Sequence, residues 1–360
     1  MADRHTRLLD GLAALGCDAA VLVGTSHATH LLGYQRPHSG PTAVLLDPDG
    51  RRTLVVPIYE VEAAQQHSTA DEVIGYGDGT FGLDLDPHAT LAAAVGRALK
   101  GQRIGVAGDT HGAARLAGAE PVPVDDLVAA VRTIKDPDEV ARVAHTQRLC
   151  LEAQDAVRDA ARDGLSEIEL LTLAHATIQN RAGQEIGFGG DLLVGARTAL
   201  VGGPVGVAGQ TRSRAGDVVL ADVYAEVGGY WAATGRTSIV GELPEAEAVR
   251  DSIAALRDEV AAQLRPGLTP EAVFALVADG VRERHPDGAF AHHAGHGVGV
   301  SAYEPPFLRP GEQEPLRPGM LVTLEPGVYF TGRFGIRHEN VYLITDDGAV
   351  DLRDIDEGTP

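Results

Sequence analysis

Leu8, Leu12 and Leu15 recur at helical spacing over residues 3–16, and the unbroken apolar run Ala19 to Val23 follows directly. The same alternation of periods continues, predicting strands near 42–47 and 53–57, helices near 59–67 and 88–100, a strand at 103–107 and a short helix at 125–133. The pattern changes at Ile134-Lys135-Asp136-Pro137, where Pro137 suits the first turn of a long helix and Asp138 and Glu139 suit its positive end. That helix is expected over 137–162, stopping before Gly164. A second begins at Ser166 with Glu169 three residues on, a capping box. Strands near 191–195, 217–224 and 229–240 follow, then helices at 244–264 and 270–285, the latter opened by Thr269 and Pro270. Gly202, Gly203 and Pro204 read as a turn, and Asp346-Asp347-Gly348 as a hairpin turn. The chain thus divides into an α/β domain over 1–134 and an α+β domain over 135–360 in which two helix pairs alternate with two sets of strands.

A chain of 360 residues has room for two sizeable cores. Its net charge of −21, without any cluster of Lys or Arg, argues against nucleic acid or an anionic membrane as a partner. Cys17 and Cys150 are too few for a disulfide framework and read as reduced thiols. The N-terminal MADRHTRLLDGLAALG lacks the apolar stretch of a signal peptide, and no apolar run of about eighteen residues occurs. The expected location is the cytoplasm.

Polar residues inside the apolar segments carry the chemistry. Asp222 interrupts the run Val218 to Val223, His292 and His296 lie in AHHAGHGVGV, Glu325 in GMLVTLEPGVYF, and Glu339 in GIRHEN. A buried carboxylate without a partner is strongly penalised, so three of them near a His call for a cation. A lone His on such a segment is more often a hydrogen-bonded core residue. Here His292 and His296 are four apart and share one face of an extended chain. Gly295, Gly297 and Gly299 let another backbone approach. Alternation also groups Thr323 with Glu325 and Arg337 with Glu339, while Val322, Leu324 and Ile336 turn away from or flank the polar face. Three strands converging on one concave face make a metal site the favoured reading. Trp231 serves equally as core or substrate wall, and His338, on the opposite face from Glu339, reads as structural.

These segments resemble the pita-bread metallopeptidases, the Xaa-Pro aminopeptidases and Xaa-Pro dipeptidases (prolidases), over essentially the whole chain. The family pattern is an Asp in an apolar strand, a second Asp eleven residues on, a His in His-x-x-Gly-His-Gly, a Glu in Thr-x-Glu-Pro-Gly and a Glu in Arg-x-Glu. Those positions here are Asp222, Ala233, His296, Glu325 and Glu339. The resemblance implies a creatinase-type α/β N-terminal domain before a duplicated α+β pita-bread catalytic domain, and a homodimer. It also implies metal ligation by Asp222, His296, Glu325 and Glu339, with catalytic roles for His292, Glu325 and Arg337; Tyr303, where the pattern has a histidine, serves equally as a phenolic hydrogen-bond donor in catalysis or as a packing residue.

Three positions depart from that pattern. Ala233 stands where a bridging Asp belongs, so at most one ion per chain is expected instead of a pair, drawn from manganese, iron, cobalt or zinc. Ala233 reads as divergence towards a one-metal enzyme, as loss of catalysis, or as a recent or engineered inactivating change. Gly202 or Gly203 and Tyr303 replace two outer histidines associated with substrate, which puts Xaa-Pro specificity in question. The expected function is metal-dependent hydrolysis of a small peptide or peptide-like amide, impaired or absent as the sequence stands. The ion lowers the pKa of the attacking water, Glu325 relays its proton, His292 and Tyr303 stabilise the oxyanion and Arg337 orients a carboxylate. Tyr230, Trp231 and Tyr303 are expected to wall the pocket. The alternatives are a metal-free creatinase-like C–N hydrolase and a non-catalytic binding protein on the same fold.

Overall fold

The computed structural model describes residues 2–35, 40–77, 86–108, 118–161, 164–200 and 206–355. Two compact units divide the chain, Met1–Arg132 and Thr133–Pro360.

The first unit holds a six-stranded sheet. Its strands are β1 (Ala19–Val23), β2 (Ala43–Leu46), β3 (Arg52–Pro57), β4 (Glu72–Tyr76), β5 (Arg103–Ala107) and β6 (Glu120–Pro123), in the order β4-β3-β2-β1-β5-β6. Every residue of β1 and β2 is buried, as expected of central strands covered on both faces. Helices α1 (Arg4–Ala14), α2 (Thr25–Leu32), α3 (Val61–His67) and α5 (Asp125–Thr133) contribute Leu8, Leu31, Ala64 and Val128 to the core on one face; α4 (Pro87–Ala98) contributes Leu91 and Val95 on the other. Helix α2 and strands β4 and β6 were not anticipated. TSHATHLL, the sequence of α2, has little apolar periodicity, and Pro121 and Pro123 in β6 are tolerated because that strand lies at the sheet edge.

The second unit repeats one theme twice. Helices α6 (Pro137–Ala160) and α7 (Glu167–Ala182) pack on the antiparallel sheet β7 (Gly187–Val194), β8 (Val218–Val227) and β9 (Tyr230–Ile239), with Leu149, Leu170, Leu192 and Val223 in their shared core. Helices α8 (Pro244–Ala261) and α9 (Pro270–Arg284) supply Ile253 and Val277 to a core with Leu324 and Ile336. Those last two residues come from β12 (Leu321–Leu324) and β14 (Phe334–Arg337). The larger sheet runs β11 (Glu304–Phe307), β10 (His296–Gly297), β12, β15 (Asn340–Ile344), β16 (Ala349–Asp351), and β13 (Gly327–Phe330) pairs with β14. This is the duplicated α+β architecture expected of the catalytic domain.

The helix starts follow the capping chemistry of the sequence. Ser166 and Glu169 cap one another reciprocally, at 2.8 Å from the Ser166 amide and 3.3 Å from the Glu169 amide. Asp136 and Glu139 form the same motif before Pro137, and Thr269 Oγ1 accepts from the Ala272 amide at 3.2 Å. The glycine turn expected at 202–204 lies outside the described residues.

Candidate metal centre

The site lies where the two strand sets of the second unit meet. Gly235 on β9 and Glu339 exchange both backbone hydrogen bonds, at 3.3 and 3.0 Å, and this bridge holds Asp222, the cross-strand partner of Gly235, beside Glu339. A β-carbon on residue 235 would lie 3.1 Å from that of Glu339, so the close approach depends on glycine.

The metal-binding candidates do not sit in the middle of strands. Residues 291–295 form no strand, His296 opens the two-residue β10, Glu325 follows the last residue of β12, and Glu339 falls between β14 and β15. A strict period of two therefore does not apply to His292. It still reaches the cavity, because the chain turns at Gly295, whose φ is +153°, and brings His292, His293 and His296 to one wall. Strand breaks suit these side chains, since a regular ladder would fix their directions perpendicular to the sheet.

A cavity of about 270 Å³ is lined by Asp222, Ala233, His292, His296, Tyr303, Glu325, Arg337 and Glu339, all singled out from the sequence. Trp231 also lines it. Tyr230 does not: it is buried in the core, with its hydroxyl 3.2 Å from Glu139. Six further lining residues were missed, namely Asp191, Tyr224, Ala232, His293, Val298 and Ala302. Asp191 had a signal in the sequence, a lone carboxylate opening the apolar run Leu192 to Val194, and it pairs across the strands with Asp222. His293 was hidden by its neighbour His292.

Donor atoms of His296, Glu325 and Glu339 all lie within 4.8 Å of one another, and all three residues are buried. Nδ1 of His296 donates to the Gly297 carbonyl at 2.9 Å, which leaves Nε2 free to coordinate. Its backbone amide donates to Thr323 Oγ1 at 3.0 Å, the role the Thr323 pairing takes in place of facing the ion. Asp222 is held by Arg337, which also reaches Asp191 at 3.5 Å and donates from Nε to the Tyr329 hydroxyl at 2.9 Å. Arg337 thus orients Asp222, not Glu339. The Tyr329 hydroxyl lies 2.8 Å from His292 Nε2, and His292 Nδ1 lies 2.6 Å from the His293 carbonyl, so both ring nitrogens of His292 are engaged.

Burial pushes Glu339 well above the ordinary carboxylate range, reinforced by the negative charges of Asp222 and Glu325. Burial also raises Asp222, against the pull of Arg337. Burial acts on Glu325 too, but the contact with His293 and the neighbouring imidazoles override it and hold the carboxyl at about 2. Desolvation lowers His292 to about 4, so its ring is neutral at pH 7. The Tyr303 phenol, raised chiefly by desolvation, stays protonated as a donor; its ring lies 4.2 Å from that of His296.

Two family models account for most of the chain: the metallopeptidase family M24 model matches residues 141–346, and the creatinase/prolidase N-terminal domain model matches residues 4–134. The chain belongs to metallopeptidase family M24. It is similar to the probable dipeptidase PepE of Mycobacterium bovis, 28% identical over 95% of this chain and 90% of that protein. It also resembles an uncharacterized peptidase of Staphylococcus aureus, 26% identical over 95% of this chain and 96% of that one. The prolidase of Pyrococcus horikoshii shares the fold with a TM-score of 0.84 at 22% identity, covering 98% of both chains. As an M24 member the chain is a metal-dependent hydrolase of the peptidase type. No helix among the described residues is long and apolar enough to cross a membrane.

The residues present fit a divalent ion. Glu325 Oε1 is buried without a hydrogen bond, and it belongs to the donor group with His296 and Glu339. Ala233, only 7% exposed, offers no donor, and Asp222 is already bonded to a guanidinium.

Proposed function

We propose that this M24 protein is a one-ion peptidase acting on the first peptide bond of a dipeptide or another short peptide. The observation that carries the reading is the grouping of His296, Glu325 and Glu339 beside an alanine at position 233. These three residues would hold the ion, with Asp222 kept in reserve by Arg337. Bound there, a divalent ion supplies Lewis acidity to the carbonyl and acidity to water. Two carboxylates then balance its charge.

The remaining steps belong to the chain. Glu325, which would hold the ion through Oε1, takes the proton of the attacking water on its other oxygen and passes it to the leaving amine. Tyr303 is the donor best placed for the developing oxyanion, because its phenol is protonated and lines the cavity. His292 would have to release the His293 carbonyl to donate in the same way; in this reading it fixes Tyr329 and through it Arg337. Asp191, at the cavity wall with a side chain 32% exposed, provides a negative charge for the substrate's α-ammonium group. The volume of about 270 Å³ admits a dipeptide-sized ligand in part and favours small substrates. The boundary between residues 134 and 135 separates the N-terminal domain from the catalytic one in this reading.

The test is a metal-loaded preparation assayed on Xaa-Pro dipeptides, non-proline dipeptides and the same peptides with acetylated N-termini. Cleavage confined to free N-termini, with elemental analysis giving one ion per chain, supports the proposal. Two tightly held ions, or full cleavage of acetylated peptides, overturns it.

A further inference from the structure

Strands β10 and β11 pair with Gly297 opposite Glu304, so residues 298–303 form the loop between them and Tyr303 is its last residue. Successive side chains of an extended chain point to opposite sides, so the direction of Glu304 sets that of Tyr303. Tyr303 lines the cavity and Glu304 does not. The Glu304 carboxylate is buried and held twice. Its Oε1 accepts from the Ser301 amide at 3.1 Å, and its Oε2 accepts from Lys135 Nζ at 3.1 Å.

Lys135 is a fixed post for this contact. Its side chain is 1% exposed, its amide donates to the Gly319 carbonyl at 2.8 Å, and it sits between Ile134, which bridges to Met320, and Asp136, the cap of α6. Gly299 lets the ion pair pass beneath the loop: a β-carbon there would lie 2.7 Å from Glu304 Oε2 and 3.1 Å from Lys135 Cε. The Gly299 carbonyl accepts from the Trp231 amide at 2.7 Å, and Trp231 packs against the buried cluster that contains Val298 and Val300. The loop thus ties together two walls of the cavity, Tyr303 and Trp231.

We infer that Lys135 is a positioning residue of the cavity: through Glu304 it holds the 298–303 loop so that Tyr303 stands against the His296 ring. A buried ion pair adds little stability over apolar side chains of the same volume, because both charges must leave water. Its contribution here is direction. The carboxylate has to satisfy Lys135 and the Ser301 amide together, and only one course of the loop allows both. The catalytic consequence rests on the reading of Tyr303 as the oxyanion donor; the clamp itself does not.

Trp231, the sole tryptophan of the chain, reports on the loop without metal or substrate. In metal-free Lys135→Met, at an unchanged far-ultraviolet circular dichroism spectrum, its emission should move to the red and its quenching by acrylamide should rise. On the best peptide of the panel kcat should fall about tenfold or more, as expected of a misplaced donor. In a Tyr303→Phe background the same change should cost no more than about twofold, because residues that act through one another are not additive. Emission and quenching equal to those of the wild type overturn the clamp. Losses that multiply in the double variant give Lys135 a purely structural role and overturn its positioning one. Should Lys135→Met fail to fold, Gly299→Ala displaces the same carboxylate without leaving a charge unpaired, and it should give the same red shift and the same non-additivity. Full kcat in Tyr303→Phe, or no turnover by the metal-loaded wild type, overturns the catalytic reading alone, and the Trp231 signal then decides whether Lys135 holds the loop.

Discussion

The Arg337 guanidinium bonds Asp222 on one side and the Tyr329 hydroxyl on the other, so one of the three carboxylates expected to bind metal is already neutralised by the protein's own cation. Removing one partner of a buried ion pair leaves the other uncompensated, at a cost of about 3–5 kcal/mol. Arg337→Met should lower the urea midpoint accordingly, and Arg337→Lys should lose less because the charge stays. A stable Arg337→Met variant would mean that Asp222 is protonated and needs no cation.

Ala233→Asp adds a carboxylate to a wall that already holds Asp222, Glu325 and Glu339. In the absence of metal it should destabilise the protein through like-charge repulsion. With manganese present it should raise the thermal midpoint above that of the wild type and increase metal content, since an ion that binds only the folded state stabilises it. Lower stability in both conditions with no added metal would show that the site is built around alanine and Tyr224, its cross-strand partner.

Tyr303→Phe keeps the ring against His296 and removes only the hydroxyl. On the best substrate of the panel its kcat should fall about a hundredfold with KM little changed, the signature of a donor used at the transition state. Equal kcat in the two proteins would make Tyr303 a packing residue. Xaa-Pro dipeptides should be turned over no faster than non-proline dipeptides, because Tyr303 stands where the family pattern has a histidine.

His27, in the first unit, is held to about 3 by burial and by the Arg132 guanidinium 3.0 Å from its Nδ1. Its pKa is lowered on folding, so its contribution is complete above about 6.5, the value in the unfolded chain. As pH falls below that, the unfolded state takes up a proton that the folded state refuses, and stability drops by up to about 1.4 kcal/mol per pH unit towards pH 3. Chemical denaturation from pH 7 to 4 should show this slope flattened in His27→Gln. Parallel slopes in both proteins would assign the acid sensitivity to other groups.

Much of the fold was legible because it rests on local signals. Ser166 with Glu169, and Thr269 with Ala272, mark helix starts through hydrogen bonds that span three residues. The donors His296, Glu325 and Glu339 were legible as charges in apolar text. Their exact placement was not, because it depends on strand breaks and on the turn at Gly295, which periodicity does not encode. Asp191 and His293 escaped for a related reason: each matters through a partner, Asp222 or Glu325, that lies more than thirty residues away in the chain. The engagement of Arg337 with Asp222 instead of Glu339 is likewise a tertiary choice.

The Gly235 to Glu339 bridge joins residues 104 positions apart and ties the half that carries Asp191 and Asp222 to the half that carries His296, Glu325 and Glu339. Contacts of such long sequence separation form late in folding, after the local helices and hairpins. Glu339, the donor held by this bridge, is therefore set in place only in chains whose halves have docked, which makes tight binding of an ion a checkpoint on assembly. Its uptake during refolding would time that docking directly, and a methyl group at position 235 would delay the signal without touching a single donor.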